Sequence, residues 1–321
     1  MMIERRASHD LDAIIIGRAG LDLYPLPAGT KTADAASFAS DLGGSAGNIA
    51  AAMARLGAKV ALAAPVSDDP VGRFVISKLA TFGIEHLTPD PVKGEARTSL
   101  ALAELVDQGS ETVIYRNNAA DFELGGEALT RNAGRAALTV VTGTALAREP
   151  SRSAALAALE SADFGVLDLD YRPYSWADMS SAALVYGAAA ERADLVIGND
   201  EEFAVLSGQS APRAHAAALG KAAFFKEGAA GCTAFMPGAE PVFVPAFAVK
   251  ALKPFGAGDA FLGASLTALL EGWPLREAMV RGAAAAALVV TRPGCASAMP
   301  EAHEIETFQR DQEAPDAYPP V

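Results

Sequence analysis

Short apolar runs recur along the chain, each stopped by Gly, Asp, Pro or Thr: residues 12–17 (DAIIIG), 60–64, 138–142, 165–170 and 194–198. A strand that is apolar on both sides must be covered on both faces, and runs of this length mark strands of a parallel sheet. Ala-rich segments lie between them. Ile49, Met53 and Leu56 fall at i, i+4 and i+7 on one helical face, and Gly57 follows as the residue past the helix end. Residues 151–161 and 181–192 repeat the pattern. Strands alternating with helices allow few architectures. This spacing predicts an α/β fold, a three-layer α/β/α sandwich with a central, mainly parallel sheet. With 321 residues, 51% of them hydrophobic, the chain can bury such a core.

Two stretches break the alternation. Residues 98–106 and 111–116 flank Asp107-Gln108-Gly109-Ser110, a turn signal, and predict an antiparallel hairpin. Residues 25–40 form a polar insertion with Pro and Gly. Both are read as a small β lid, from about residues 18–40 and 96–120, that interrupts a core spanning 12–308; residues 309–321 read as a tail. Residues 1–10 are polar and lack the apolar stretch of a signal peptide, and the apolar run 283–290 is too short to cross a bilayer. The expectation is a cytoplasmic protein with no membrane partner. The net charge of −13 argues against nucleic acid, because phosphate contacts need a basic field. Cys232 and Cys295, with His9, His86, His215 and His303 scattered, offer no zinc spacing.

The chemistry concentrates in two glycine-rich segments. The later is Lys253-Pro254-Phe255-Gly256-Ala257-Gly258-Asp259, ahead of a helical run with Leu262, Leu266, Leu269 and Leu270 on one face and Gly272 closing it. Glycines there let backbone N–H groups point at an anion, and the helix dipole adds to the attraction. Asp259 beside such a site suits a general base, although the same residue in isolation fits a helix cap. The earlier segment is Gly43-Gly44-Ser45-Ala46-Gly47-Asn48. Its glycines permit close approach to a ligand, and Asn48 offers a donor and an acceptor to hydroxyls. Asp22 fits either a polyol acceptor or a solvated loop carboxylate. The late motif lacks the third glycine of a dinucleotide fingerprint, and no GxxxxGK[ST] occurs.

Together, GGSAGN…ARLG (43–57) and GAGDAF (256–261) resemble the ribokinase/PfkB carbohydrate kinases over about residues 12–308. The resemblance implies the ribokinase-like version of the sandwich and lid. It implies ATP and Mg²⁺, with Asn199-Asp200-Glu201-Glu202 matching N-x-x-E, so that Asn199 and Glu202 help place the metal, mostly through water. Lys226, Gly228 and Gly231 match the nucleotide turn, and ATP would lie between that turn and a helix starting near Ala283. The amides at Gly256, Ala257 and Gly258 would hold the phosphoryl group, with Asp259 as base. Asp22, Gly43, Gly44 and Asn48 would hold the sugar. A monovalent cation such as K⁺ and a homodimer formed through the lid are also implied.

Within the family, Gly17-Arg18, Asp22-Leu23-Tyr24, Tyr115-Arg116, residues 168–176, Glu271-Gly272-Trp273 and residues 294–300 are similar to the 5-dehydro-2-deoxygluconokinases of myo-inositol breakdown. The Asp-Tyr-Arg-Pro-x-x-Trp stretch is also similar to 2-keto-3-deoxygluconate kinases. Both substrates are sugar acids, and a carboxylate in an acidic protein needs local cations; Arg116, reaching in on a closing lid, and Arg172 are the candidates. The alternatives are a 2-keto-3-deoxygluconate kinase, a fructokinase, or a non-catalytic sugar or nucleotide sensor. Three segments depart from the pattern: Lys253-Pro254 stands where the family often has Asn/Asp-Thr, Ser45-Ala46-Gly47-Asn48 replaces Ser-Pro-Thr-Asn, and residues 117–120 replace Glu-Pro-Thr-Ala.

Overall fold

The computed structural model describes residues 3–106, 111–208, 211–253 and 255–312. The turn 107–110, Pro254 and most of the predicted tail lie outside the described residues. The strands are β1 (Leu11–Ile16), β2 (Gly20–Leu26), β3 (Ser37–Gly43), β4 (Val60–Ala63), β5 (Glu85–His86), β6 (Leu100–Ala103), β7 (Thr112–Tyr115), β8 (Ala136–Thr142), β9 (Gly165–Asp168), β10 (Leu195–Asn199), β11 (Ala222–Lys226), β12 (Gly231–Phe235) and β13 (Val242–Pro245). The helices are α1 (Ser45–Arg55), α2 (Pro70–Thr81), α3 (Gly126–Arg131), α4 (Ser151–Glu160), α5 (Met179–Arg192), α6 (Asp200–Leu206), α7 (Pro212–Ala218), α8 (Ala257–Leu270), α9 (Leu275–Val290) and α10 (Ala302–Asp311).

In β1, Ile15 goes to one apolar cluster and Ile14 and Ile16 to the other, so the strand is covered on both sides. The first cluster packs α1, α2, α8, α9 and α10 on the sheet; the second packs α4 to α7. The main sheet has the spatial order β13-β12-β11-β10-β9-β8-β1-β4-β5. Its strands pair in parallel from β5 through β11, and β12 and β13 add antiparallel. This is the three-layer α/β/α sandwich that the alternation predicts. Strand order reverses between β1 and β8, which opens a crevice at the carboxyl ends of the strands, the usual ligand position in open α/β sheets. Among the described residues no helix is long and apolar enough to cross a membrane.

The second sheet, β3-β2-β6-β7, stands over that crevice. Register puts Leu21, Leu23, Leu100, Leu102, Val113 and Tyr115 on one face and Asp22 and Tyr24 on the other. Asp22 and Tyr24 are buried, whereas Val113 and Tyr115 are 47% and 57% exposed.

One helix boundary differs from expectation. α9 begins at Leu275, well before Ala283, because Pro274 stands at its N-cap and Ala278 and Met279 already face the core. Ala283 is therefore mid-helix and buried in the apolar cluster.

Candidate active site

Most polar groups of the site sit where a β-strand or helix begins or ends, and Asp22 comes from within β2. α1 and α8 cross closely: a Cβ on Gly263 would lie 2.6 Å from the Ala52 Cβ. One turn earlier on each helix come Asp259 and Asn48, and Asn48 Nδ2 donates to Asp259 Oδ2 at 2.8 Å. The N-cap of α8 is Gly256, at φ +79°, with no side-chain cap. Asp259 therefore does not cap its own helix, and the first N–H groups of α8 are left without a helical acceptor. Burial, with Asp170 nearby, pushes the Asp259 carboxyl up to about 6, against the Asn48 hydrogen bond.

Lys226, ending β11, brings a cation to the same place: its Nζ would lie 3.2 Å from a Cβ on Gly258. It reaches Asp168 Oδ1 at 3.5 Å and Glu202 Oε2 at 3.9 Å. Burial opposes its charge, yet these carboxylates hold the ammonium above its usual range. Burial raises the Asp168 carboxyl in turn, with Lys226 opposing. Asn199 and Glu202 close a capping box at the start of α6, Asn199 N donating to Glu202 Oε2 at 2.7 Å and Glu202 N to Asn199 Oδ1 at 2.9 Å. Gly228 opens the turn between β11 and β12, and Gly231 begins β12.

The lid side supplies Asp22. Tyr24 donates to its Oδ2 at 3.2 Å. Gly43 is required here, since a Cβ would fall 1.9 Å from Asp22 Oδ1. Gly44 is the N-cap of α1 and leads the chain into Asn48. Asp22 Oδ1 and Asn48 Oδ1 are buried without a hydrogen-bond partner among the described residues. Burial raises the Asp22 carboxyl, with Arg18 opposing.

The arginines divide by partner. Arg172 pairs with Asp170 at 2.6 Å, and Ser45 Oγ donates to the same carboxylate. Burial works against that charge, but Arg172 and Ser45 hold Asp170 below the usual carboxylate range. Arg116 does not stand as expected. Rather than being poised on a moving lid, its guanidinium is buried against Asp121, donates to Thr144 O at 2.8 Å and stacks 4.2 Å over the Phe122 ring. The reason is local: Asp121 and Phe122 follow it in a short 3₁₀ turn, and a buried arginine takes the nearest carboxylate. Arg18, which carries no role in the sequence reading, is buried between the fields of Asp22 and Asp170. Among the described residues its side chain has one hydrogen bond, to Ser99 Oγ at 3.1 Å, and no ion pair. A charged residue two positions after the apolar run of β1 was the available signal; Asp168, ending β9, offered a similar one.

An uncapped helix start, a carboxylate with a raised pKa and a lysine against the same backbone suit transfer of an anionic group to a hydroxyl. The sequence pattern of the pfkB family carbohydrate kinases matches residues 11–302. The chain belongs to that family. As a family member it is a sugar kinase of ribokinase-like fold, as the motif pair implies. It is 37% identical to the 5-dehydro-2-deoxygluconokinase of Photobacterium profundum, over 94% of this chain and 96% of the relative. It is 34% identical to the enzyme of that name from Clostridium tetani, over 94% of each. The structure of fructokinase from Vibrio cholerae O395 with fructose, ADP and calcium ion bound matches with a TM-score of 0.80 at 25% identity, covering 93% of this chain and 99% of that one.

Proposed function

We propose that this kinase moves the γ-phosphoryl group of ATP to a terminal hydroxyl of a keto-deoxy sugar acid, 5-dehydro-2-deoxygluconate. The observation that carries the reading is Asp259 held by Asn48 at an uncapped helix start. Asp259 takes the hydroxyl proton as the oxygen attacks phosphorus. The N–H groups at Gly256, Ala257 and Gly258 and the Lys226 ammonium meet the charge on the transferring group, because phosphoryl transfer depends on positioning and electrostatics. The free acceptors on Asp22 and Asn48 suit sugar hydroxyls, with Gly43 and Gly44 giving room. The turn from Lys226 through Gly228 to Gly231 suits the nucleotide.

Mg²⁺ fits this site through water. Glu202 Oε2 and Asn199 Oδ1 are already used in the cap, and among the described residues no three acidic, His or Cys side chains converge on an ion. Asn199, Glu202 and Asp168 would hold its water shell. When bound, the ion neutralises phosphate charge. Reliance on ATP supports a cytoplasmic place for the enzyme.

The substrate carboxylate falls to Arg172 and to Arg18, the buried arginine without an ion-pair partner. Arg18→Met and Arg172→Ala are each expected to lower kcat/KM for the sugar acid by roughly ten- to a hundredfold relative to fructose, the worth of a charge-assisted hydrogen bond. A panel of sugars and sugar acids with ATP measures this. Equal losses on both substrate classes would remove the carboxylate role, and no phosphorylation of any member would remove the kinase reading of the site.

The apolar outer face of the lid sheet supports a homodimer, since single-chain proteins rarely expose a contiguous apolar patch of this kind. Sedimentation velocity is expected to give a dimer, and Val113→Lys with Tyr115→Lys a monomer; a monomeric wild type would refute the lid interface.

A further inference from the structure

Lys253 lies in the loop that enters α8, and it is 2% exposed. Its Nζ donates to Phe255 O at 2.8 Å, and its backbone N–H to Val290 O, at the C-terminal end of α9. No described carboxylate lies within ion-pair distance of it. Its bonding partner is a carbonyl, the ligand type of a bare monovalent cation, and it sits by the negative end of one helix and the positive start of another. Burial works against the charge and holds the ammonium below its usual range, while the carboxylates of Asp259, Asp41 and Asp22 favour it. Asp22, Asp41 and Cys295 are tied together through Tyr24 and backbone N–H groups. Asp41 Oδ2 accepts from Cys295 N at 2.8 Å and Ser297 N at 3.1 Å, and the Tyr24 hydroxyl lies 3.2 Å from Cys295 Sγ. Cys295 Sγ would lie 3.7 Å from a Cβ on Gly256. The ammonium thus sits in the field of a polar layer that joins the lid strands to the loop after α9.

The residues present do not fit the monovalent cation that the family resemblance implies. The Phe255 carbonyl is already bonded, and a free ion would stand beside a fixed positive charge. We propose that the Lys253 ammonium is a built-in monovalent cation that holds the Phe255–Gly258 turn with its N–H groups toward the phosphoryl site, so that this kinase takes no K⁺ there. Lys253 is a positioning residue in this account, which rests on the sugar-kinase reading above.

The test compares KCl with tetramethylammonium chloride at equal ionic strength, in rate and in melting temperature. Wild type is expected to give the same rate and the same melting temperature in both salts. Lys253→Ala and Lys253→Met are expected to lose about tenfold or more in kcat, less than removal of a direct oxyanion donor. They are expected to recover rate, and gain melting temperature, in K⁺ or methylammonium. A wild type that is faster or more stable in K⁺ overturns the proposal, as does either variant keeping its full rate in tetramethylammonium. If neither variant folds, the wild-type comparison still decides. If no sugar is phosphorylated, the kinase reading of the site fails by itself and the melting temperatures decide the lysine.

Discussion

Asp259→Asn is expected to cost about 10²–10⁴-fold in kcat, the range of a general base, while the protein folds as before. The asparagine keeps the size of the side chain and an oxygen to accept from Asn48 Nδ2. It does not keep the ability to take a proton. Because Gly256 occupies the N-cap, the change removes no helix cap. Nucleotide binding at the Lys226 turn is untouched. The pH dependence follows with its sign. The base must be ionised, and burial puts its carboxyl at about 6, so the wild-type rate should rise with pH through that value. The variant should show no such rise. A carboxyl whose folded pKa is raised favours the fold most below its unfolded value of 3.8 and loses that contribution as pH rises through about 6. Above pH 6 the variant should therefore be at least as stable as wild type. Single-turnover transfer and melting temperature on one variant check both halves. Near-normal transfer in a stable protein would take Asp259 out of the mechanism.

The strands of the core were legible because burial on both faces leaves only apolar runs, and β1, β4 and β8 to β10 show this. The glycine motifs were legible because backbone conformation at Gly44 and Gly256 is a local demand. What sequence cannot display is which partner a charged group meets across the fold. The Asn48–Asp259 contact spans 211 positions and exists because two small residues, Gly263 and Ala52, let α1 and α8 touch. Arg116, Arg172 and Arg18 look equivalent as isolated arginines after strands. The fold separates them by giving Asp121 to the first, Asp170 to the second and, among the described residues, no ion pair to the third. In sequence Lys253 read only as a departure from the family's Asn/Asp-Thr, and it is its burial on Phe255 O that marks it as a cation.

Arg116→Ala is expected to destabilise the protein by about 3–5 kcal/mol, the cost of stranding one partner of a buried ion pair. The side chains of Arg116 and Asp121 are 2% and 3% exposed, so solvent cannot compensate the carboxylate left behind. The same arginine also holds Thr144 O after β8 and Ser175 Oγ at 3.3 Å after β9. It pins the return of the lid onto the core rather than waiting on the lid for a ligand. At roughly 1.5 °C per kcal/mol for a chain of 321 residues, the melting temperature should fall by an easily measured amount. Asp121→Asn should fall less, since an amide oxygen still accepts from the guanidinium. The alternative, a substrate-reading Arg116, predicts a different pattern: an unchanged melting temperature and a kcat/KM loss confined to sugar acids. A brace affects sugar acids and neutral sugars alike, because what it sets is the position of the lid strands that carry Asp22. The two readings therefore separate on one variant, by whether stability or substrate preference is what moves.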